Sequence, residues 1–271
     1  MAIANFIPEL WSTLLLEAYR NEHKFKALVN RNWEGEIRNA GDTVHITTPS
    51  AINVGAYAGA VVYQAPLSTQ QTLLIDQDVY WAFSLDDADQ AQANVSLMQA
   101  YMKEAAAALA QNVDVNLASL WNQAGLGPIN LQVGVDDPYE DMILPAAQLM
   151  NEANVPQEGR WIVVTPAMFS ALLMDERFIH ATALGDTTVR QGQLGMAGGI
   201  AIHMSNNLQI SAGTTFESLF GVNAAITLAE QLIKTEALRL PGAFEDAVRG
   251  RLVFGRTVVR PGALGRVSAV H

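Results

Sequence analysis

Apolar periodicity that changes character several times along the chain predicts a mixed α+β protein, not a regular series of alternating strands and helices. Three observations carry this. Val44 and Ile46, and later Leu73, Ile75, Val79, Trp81, Phe83 and Leu85, sit on alternate positions, as strands with one buried face require. Residues 86–123 instead step by three or four through Met98, Tyr101, Ala105, Leu109, Val113, Leu117 and Leu120, with no Gly or Pro before Gly125. The last third returns to short β-like runs near residues 200–205, 223–229, 233–240 and 251–260.

In chain order, residues 5–22 read as a helix. Pro8 suits a first turn, and Trp11, Leu14, Leu15 and Ala18 recur at helical spacing. Phe25 to Asn32 mixes polar and apolar residues as an arm lying across another surface would. Gly41-Asp42 signals a turn. Pro49, Gly55, Gly59 and Pro66 then mark a loop between two strands, an excursion with little core of its own. Asp86 or Asp87 offers an N-cap to the long periodic segment. As one helix of about 38 residues it would be about 57 Å long; the alternative is two helices broken near Asn112–Asn116. Residues 125–138 read as a Gly/Pro/Asp loop, and Tyr139 to Asn154 as an amphipathic helix. Trp161-Ile162-Val163-Val164 is a buried strand, and Thr165-Pro166 caps and opens a short helix over 166–174. Five glycines in 185–199 predict a mobile segment.

Composition limits the chemistry. The chain has 271 residues, half of them hydrophobic and only 16% charged. So little charge on so apolar a chain implies surface hidden in an oligomer. The formal net charge is −11, which excludes the basic footprint of a free-standing nucleic-acid binder. Residues 234–271 run against this trend, with seven basic residues and three acids. They read either as a solvated strand face with ion pairs to neighbouring subunits, or as a locally basic surface touching phosphates weakly. There is no cysteine, hence no disulfide framework, thiolate chemistry or cysteine-ligated metal.

The N-terminus shows neither the basic region nor the cleavage site of a secretory signal, so use in a cytoplasm is expected. The five histidines, His23, His45, His180, His203 and His271, form no metal-ligand spacing. Asp76 with Asp78, and Asp87 with Asp89, read as a solvent-facing strand edge and helix-start charge, because no phosphate-cradling glycine loop accompanies them. Walker-type and Gly-x-Ser-x-Gly motifs are absent, and no cofactor or catalytic residue is expected.

Several segments resemble tailed-phage major capsid (coat) proteins. Asn5-Phe6-Ile7-Pro8-Glu9-Leu10-Trp11, Val29-Asn30-Arg31, Trp33-Glu34-Gly35-Glu36-Ile37 and Gly41-Asp42-Thr43-Val44-His45-Ile46 are similar to the family's opening. Asn154-Val155-Pro156, Gly159 to Pro166, Gly192-Gln193-Leu194-Gly195 and Ser205-Asn206-Asn207-Leu208 are similar to its core. Ala224 to Gln231, Lys234 to Ala237, Phe254-Gly255 and Val258 to Pro261 are similar to its end.

The resemblance implies the fold named after phage HK-ninety-seven. Residues 1–40 would be an N-arm and 41–85 an extended E-loop hairpin over an adjacent subunit. Residues 86–134 and 241–271 would form the P-domain with a spine helix at 86–123, and residues 135–240 the A-domain. It implies subunit contacts by the E-loop residues Ile52, Val54, Tyr57, Val61 and Val62, and by the N-arm residues Phe6, Trp11 and Phe25.

Implied partners are many copies of the same chain as hexamers and pentamers, a portal, a scaffolding protein and optionally a decoration protein. Packaged DNA would be touched only weakly, and no membrane is involved. Because the resemblance begins by residue 5, the scaffold is expected to be a separate chain. No lysine lies between Lys26 and Lys103, so covalent welding through an E-loop lysine is not expected. An encapsulin-like cellular compartment shell is the alternative.

Overall fold

A computed structural model describes residues 24–33, 43–49, 52, 68–86, 96–175, 195–239 and 245–270. The helix expected at 5–22 and the rest of the glycine-rich stretch before Gly195 lie outside these residues. Strands β1 (Thr43–Pro49) and β2 (Ser68–Leu74) pair antiparallel in a two-stranded sheet, Thr43 opposite Leu74. Strand β3 (Gln77–Asp86) joins β10 (Ile226–Arg239) and β11 (Glu245–Val258) in a long antiparallel sheet with β11 at its centre.

The seven-stranded sheet runs β4 (Leu126–Gln132), β12 (Leu264–Val270), β9 (Thr215–Val222), β5 (Arg160–Val164), β7 (Ile200–Met204), β6 (Met196–Ala197). Strand β8 (Gln209–Ala212) pairs with β9 off this path. The described α-helices are α1 (Ser96–Ala118), α2 (Leu144–Glu152) and α3 (Pro166–Met174), and the helix expected from Tyr139 opens with a π-helical turn, Tyr139–Ile143, before α2.

The mixed α+β class holds, with corrections. The alternating run at 73–85 is two strands, not one. It breaks at Ile75-Asp76, and its halves belong to different sheets. Asp86 ends β3, so the helix does not start there. The described helix begins at Ser96 and runs unbroken through Asn112–Asn116, where Asn116 Nδ2 donates to the Asn112 carbonyl at 2.9 Å. It then tightens into a 3-10 turn, Ser119–Gln123. Its buried stripe is Met102, Ala106, Leu109, Ala110, Val113 and Leu117. Ala106, Val113 and Leu117 are fully buried, and Tyr101 stands at the margin with its ring stacked 5.6 Å from Phe83.

The loop expected at 125–138 contains β4. Gly127 and Pro128 read as breakers, but an edge strand tolerates both at its start, and Ile129 and Leu131 turn inward. The runs at 223–229 and 233–240 are one strand, β10, with a register shift between Leu232 and Lys234. The expected strand at 251–260 starts six residues earlier, as β11. The predicted cap of α3 is present, with Met168 N–H donating to Thr165 Oγ1 at 3.3 Å.

Two apolar clusters hold these layers. The larger joins α1, α2, α3, the seven-stranded sheet and one face of β11. Phe25 is fully buried in it, its ring edge-on to Trp161 at 6.5 Å. The side chain expected to lie across another surface therefore packs inside its own protomer. The smaller cluster contains Val44, Ile46, Leu73, Ile75, Ala229 and Val253. Gly265 shows how closely β12 packs, since a Cβ there would fall 2.1 Å from the Phe220 ring. Phe25→Ala removes a whole buried ring and is expected to destabilise the unassembled subunit by about 3–5 kcal/mol, read by urea unfolding.

Candidate assembly surface

Alternation along β11 builds the surface. Val248, Leu252 and Phe254 point into the larger cluster, while Val253 points the other way, into the smaller one. That second face is divided. At Val253 and Gly255 it is covered by the base of the β1–β2 hairpin. Further toward the start of β11, Arg249 and Arg251 are exposed. Beside them on β3 lie Asp78, Tyr80, Ala82 and Ser84, also exposed, with Tyr80 opposite Arg251 and 82% accessible.

The charges on this sheet are matched within the protomer. Arg251 Nε donates to Asp78 Oδ1 at 2.7 Å, and its second nitrogen pairs with the other carboxylate oxygen. This pairing holds the Asp78 carboxyl below the usual range. Arg249 makes two bonds to Glu236, at 2.7 and 3.0 Å. Arg239 pairs with Asp246 at 3.2 Å. Arg256, half-buried, reaches Asp76 at 3.5 Å and donates to the Asn116 carbonyl at 2.8 Å. Four of the seven basic residues in 234–271, Arg239, Arg249, Arg251 and Arg256, thus pair with acids of the same chain, two of those acids, Asp76 and Asp78, lying outside the segment. Exposed pairs of this kind add little stability; they fix register and remove net charge from the face.

The segment before β1 is locked down. Phe25–Leu28 is a 3-10 turn. Lys26 and Glu230 form a buried ion pair, with Arg31 at 3.8 Å from the same carboxylate. Asn30 bridges β10, with its N–H donating to the Ile226 carbonyl and its carbonyl accepting from Leu228 N–H, both at 3.0 Å. Lys24 N–H donates to buried Asp114 of α1 at 3.1 Å.

Of the residues expected at subunit contacts, Ile52 is described and is 79% exposed. Phe25 is in the core. Val54, Tyr57, Val61, Val62, Phe6 and Trp11 lie outside the described residues, as do Asp87 and Asp89. Asp76 and Asp78 are ion-pair partners of arginines. Sequence reasoning passed over Tyr80, although its place on the polar parity of β3 marked it as outward-facing. Among the described residues, no group of His, Cys, Asp and Glu could hold a metal, and no helix is long and apolar enough to cross a membrane.

No family model and no curated protein matches the chain in sequence. Solved structures match it in fold. A structure from Mycobacterium phage Che8 is 28% identical, covers 90% of both chains and has a TM-score of 0.71. The capsid of cyanophage P-SCSP1u is 18% identical, covers 91% of this chain and 94% of that one, and has a TM-score of 0.64. A virus-like particle from Pyrococcus furiosus is 12% identical, covers 96% and 99%, and has a TM-score of 0.59. The chain has the tailed-phage major capsid protein fold. The cyanophage neighbour is a capsid and the Pyrococcus furiosus neighbour a virus-like particle, and no enzyme family is indicated.

One titratable group, on the seven-stranded sheet, gives the subunit's stability a pH dependence. His203 on β7 is half-buried. Burial, with the charge of Lys24, holds its imidazole below the usual histidine range. Once pH falls through about 6.5, the unfolded chain therefore takes up a proton that the folded chain resists. The contribution is present above that pH and is lost below it. Urea unfolding of the unassembled subunit is expected to show falling stability from about pH 7 to about pH 5. His203→Gln should flatten that slope, and equal slopes would contradict the assignment.

Proposed function

We propose that this chain is the major capsid protein of a tailed phage, assembling through hexamers and pentamers into an icosahedral shell around double-stranded DNA. The observation that carries this reading is the match along 90% of the chain to a Mycobacterium phage structure at 28% identity. The geometry supports it. A two-stranded hairpin with only a small cluster at its base stands on the main sheet, and Ile52 between its strands is exposed. A lone subunit gains little by presenting such an arm, whereas a neighbour can bury it.

In this reading residues 41–85 are the E-loop, with residues 1–40 as the N-arm before it. Helix α1 is the spine of the P-domain, which takes 86–134 and 241–271, and 135–240 is the A-domain. Ile52, Val54, Tyr57, Val61 and Val62 face an adjacent subunit, with Phe6 and Trp11 contributing from the arm. Repeated weak contacts suffice, because closure multiplies them. A scaffolding protein, a portal and optionally a decoration protein complete the assembly in the host cytoplasm. The internal pairing of the sheet's arginines suits a wall that touches DNA weakly. The likeness to the Pyrococcus furiosus particle supports a second reading, a compartment shell with other cargo. The higher identity to the phage structure favours the first.

Expression of the chain, alone and with the scaffold encoded beside it, tests the reading by negative-stain microscopy and light scattering. Closed hollow particles of uniform size are expected. A small oligomer under both conditions would contradict it. Boiled, reduced particles should run as a 29.3 kDa monomer, since no lysine lies between Lys26 and Lys103. A ladder of covalent multimers would refute that part.

A further inference from the structure

Among the described residues, one short link, Leu74-Ile75-Asp76, carries the chain from the hairpin into the body, between the end of β2 and the start of β3. Two consecutive residues of β11 grip that link from opposite faces. On the hairpin side is Gly255. A Cβ there would lie 2.3 Å from the Leu74 carbonyl oxygen, 2.8 Å from Ile75 Cδ1 and 3.0 Å from Ile75 Cα. Only a bare backbone lets the link cross β11 so closely. On the helix side is Arg256. It ties Asp76 to the Asn116 carbonyl near the end of α1, and its guanidinium is largely shielded. Val253 and Ala229 continue the contact under Val44, Ile46, Leu73 and Ile75.

We propose that Gly255 and Arg256 form a clasp that sets the angle at which the β1–β2 hairpin leaves the body. Gly255 fixes the height of the crossing. Arg256 couples that crossing to the last turns of α1, so hairpin angle and helix position change together. Both are positioning residues, acting through the link and not by touching a partner. The proposal rests on the shell reading for its purpose, because there the hairpin angle decides which neighbour the arm reaches. The clasp itself is a property of one subunit.

The test uses the unassembled full chain. Having no cysteine, it accepts nitroxide labels only at introduced sites. Thr48→Cys near the far end of β1 and Gln111→Cys on α1 form the reporting pair, and pulsed electron paramagnetic resonance reads their separation. The arm from Leu74 to the Thr48 level is about 17 Å long, so opening the Gly255 crossing from 2.3 Å to an ordinary van der Waals contact moves the link and swings the label with it. Gly255→Ala is expected to shift the mean distance. Arg256→Met, which keeps the stem and drops the guanidinium, is expected to broaden the distribution around its original mean. Arg249→Ala, on the same strand but away from the link, should leave it unchanged.

Circular dichroism verifies folding, and if Gly255→Ala does not fold, Arg256→Met decides. Parent-like distributions in every folded clasp variant would overturn the proposal. So would equal broadening in Arg249→Ala, which would mean general loosening. Failure of the parent chain to form particles would count against the shell reading alone, because this distance is measured before assembly.

Discussion

Every described layer meets at β11, whose alternate side chains serve two apolar clusters at once. One face carries Val248, Leu252 and Phe254 into the core that holds α1 and the seven-stranded sheet. The other carries Val253 and Gly255 under the hairpin and leaves Arg249 and Arg251 in solvent. A strand with period two cannot change one face without keeping the other in register, so a slip of one residue would lose both contacts together. This explains why the strand is long, central in its sheet and paired on both sides with few irregularities.

The rest of the molecule holds that strand in place. Residues 24–30 wedge Phe25 against Trp161 and tie Lys26 to Glu230 of β10, the neighbour of β11. Burying a charge is costly unless it is paired, so this contact specifies position more than it adds stability. The exposed arginines of β11 find acids on β3 and β10, which leaves the open face polar but nearly neutral. Such a face neither repels another copy of itself nor attracts phosphate strongly. Tyr80 projects from it, 82% accessible.

Much of the fold was legible because its signals are local. Val44 and Ile46, the apolar steps along α1, the run Trp161 to Val164 and the Thr165-Pro166 cap all follow from period or capping chemistry. The misreadings came where tertiary context overrides local pattern. Gly127 and Pro128 mark a break in isolation yet sit in an edge strand beside β12. The apolar parity from Leu73 to Leu85 lapses at one position, Gln77 within Asp76-Gln77-Asp78, and a single polar residue is too faint a signal to show that the chain changes sheets at Ile75-Asp76. Phe25 sits among charged and polar residues and looked like a surface anchor, but Trp161, more than a hundred residues away, supplies its socket. The assembly surface was least legible. Tyr80 could be placed outward by alternation, whereas the clasp at Gly255 and Arg256 depends on three segments far apart in sequence.

The central claim is that this chain builds a shell in which the hairpin and the open face of the long sheet are covered by neighbouring copies. Amide hydrogen exchange, compared between the unassembled subunit and the assembled particle, tests it most directly. The account predicts slower exchange on assembly across residues 43–74 and 78–84, with little change in β5 and the buried turns of α1, which are already protected. Particles whose hairpin and β3 exchange as fast as in the free subunit would contradict it.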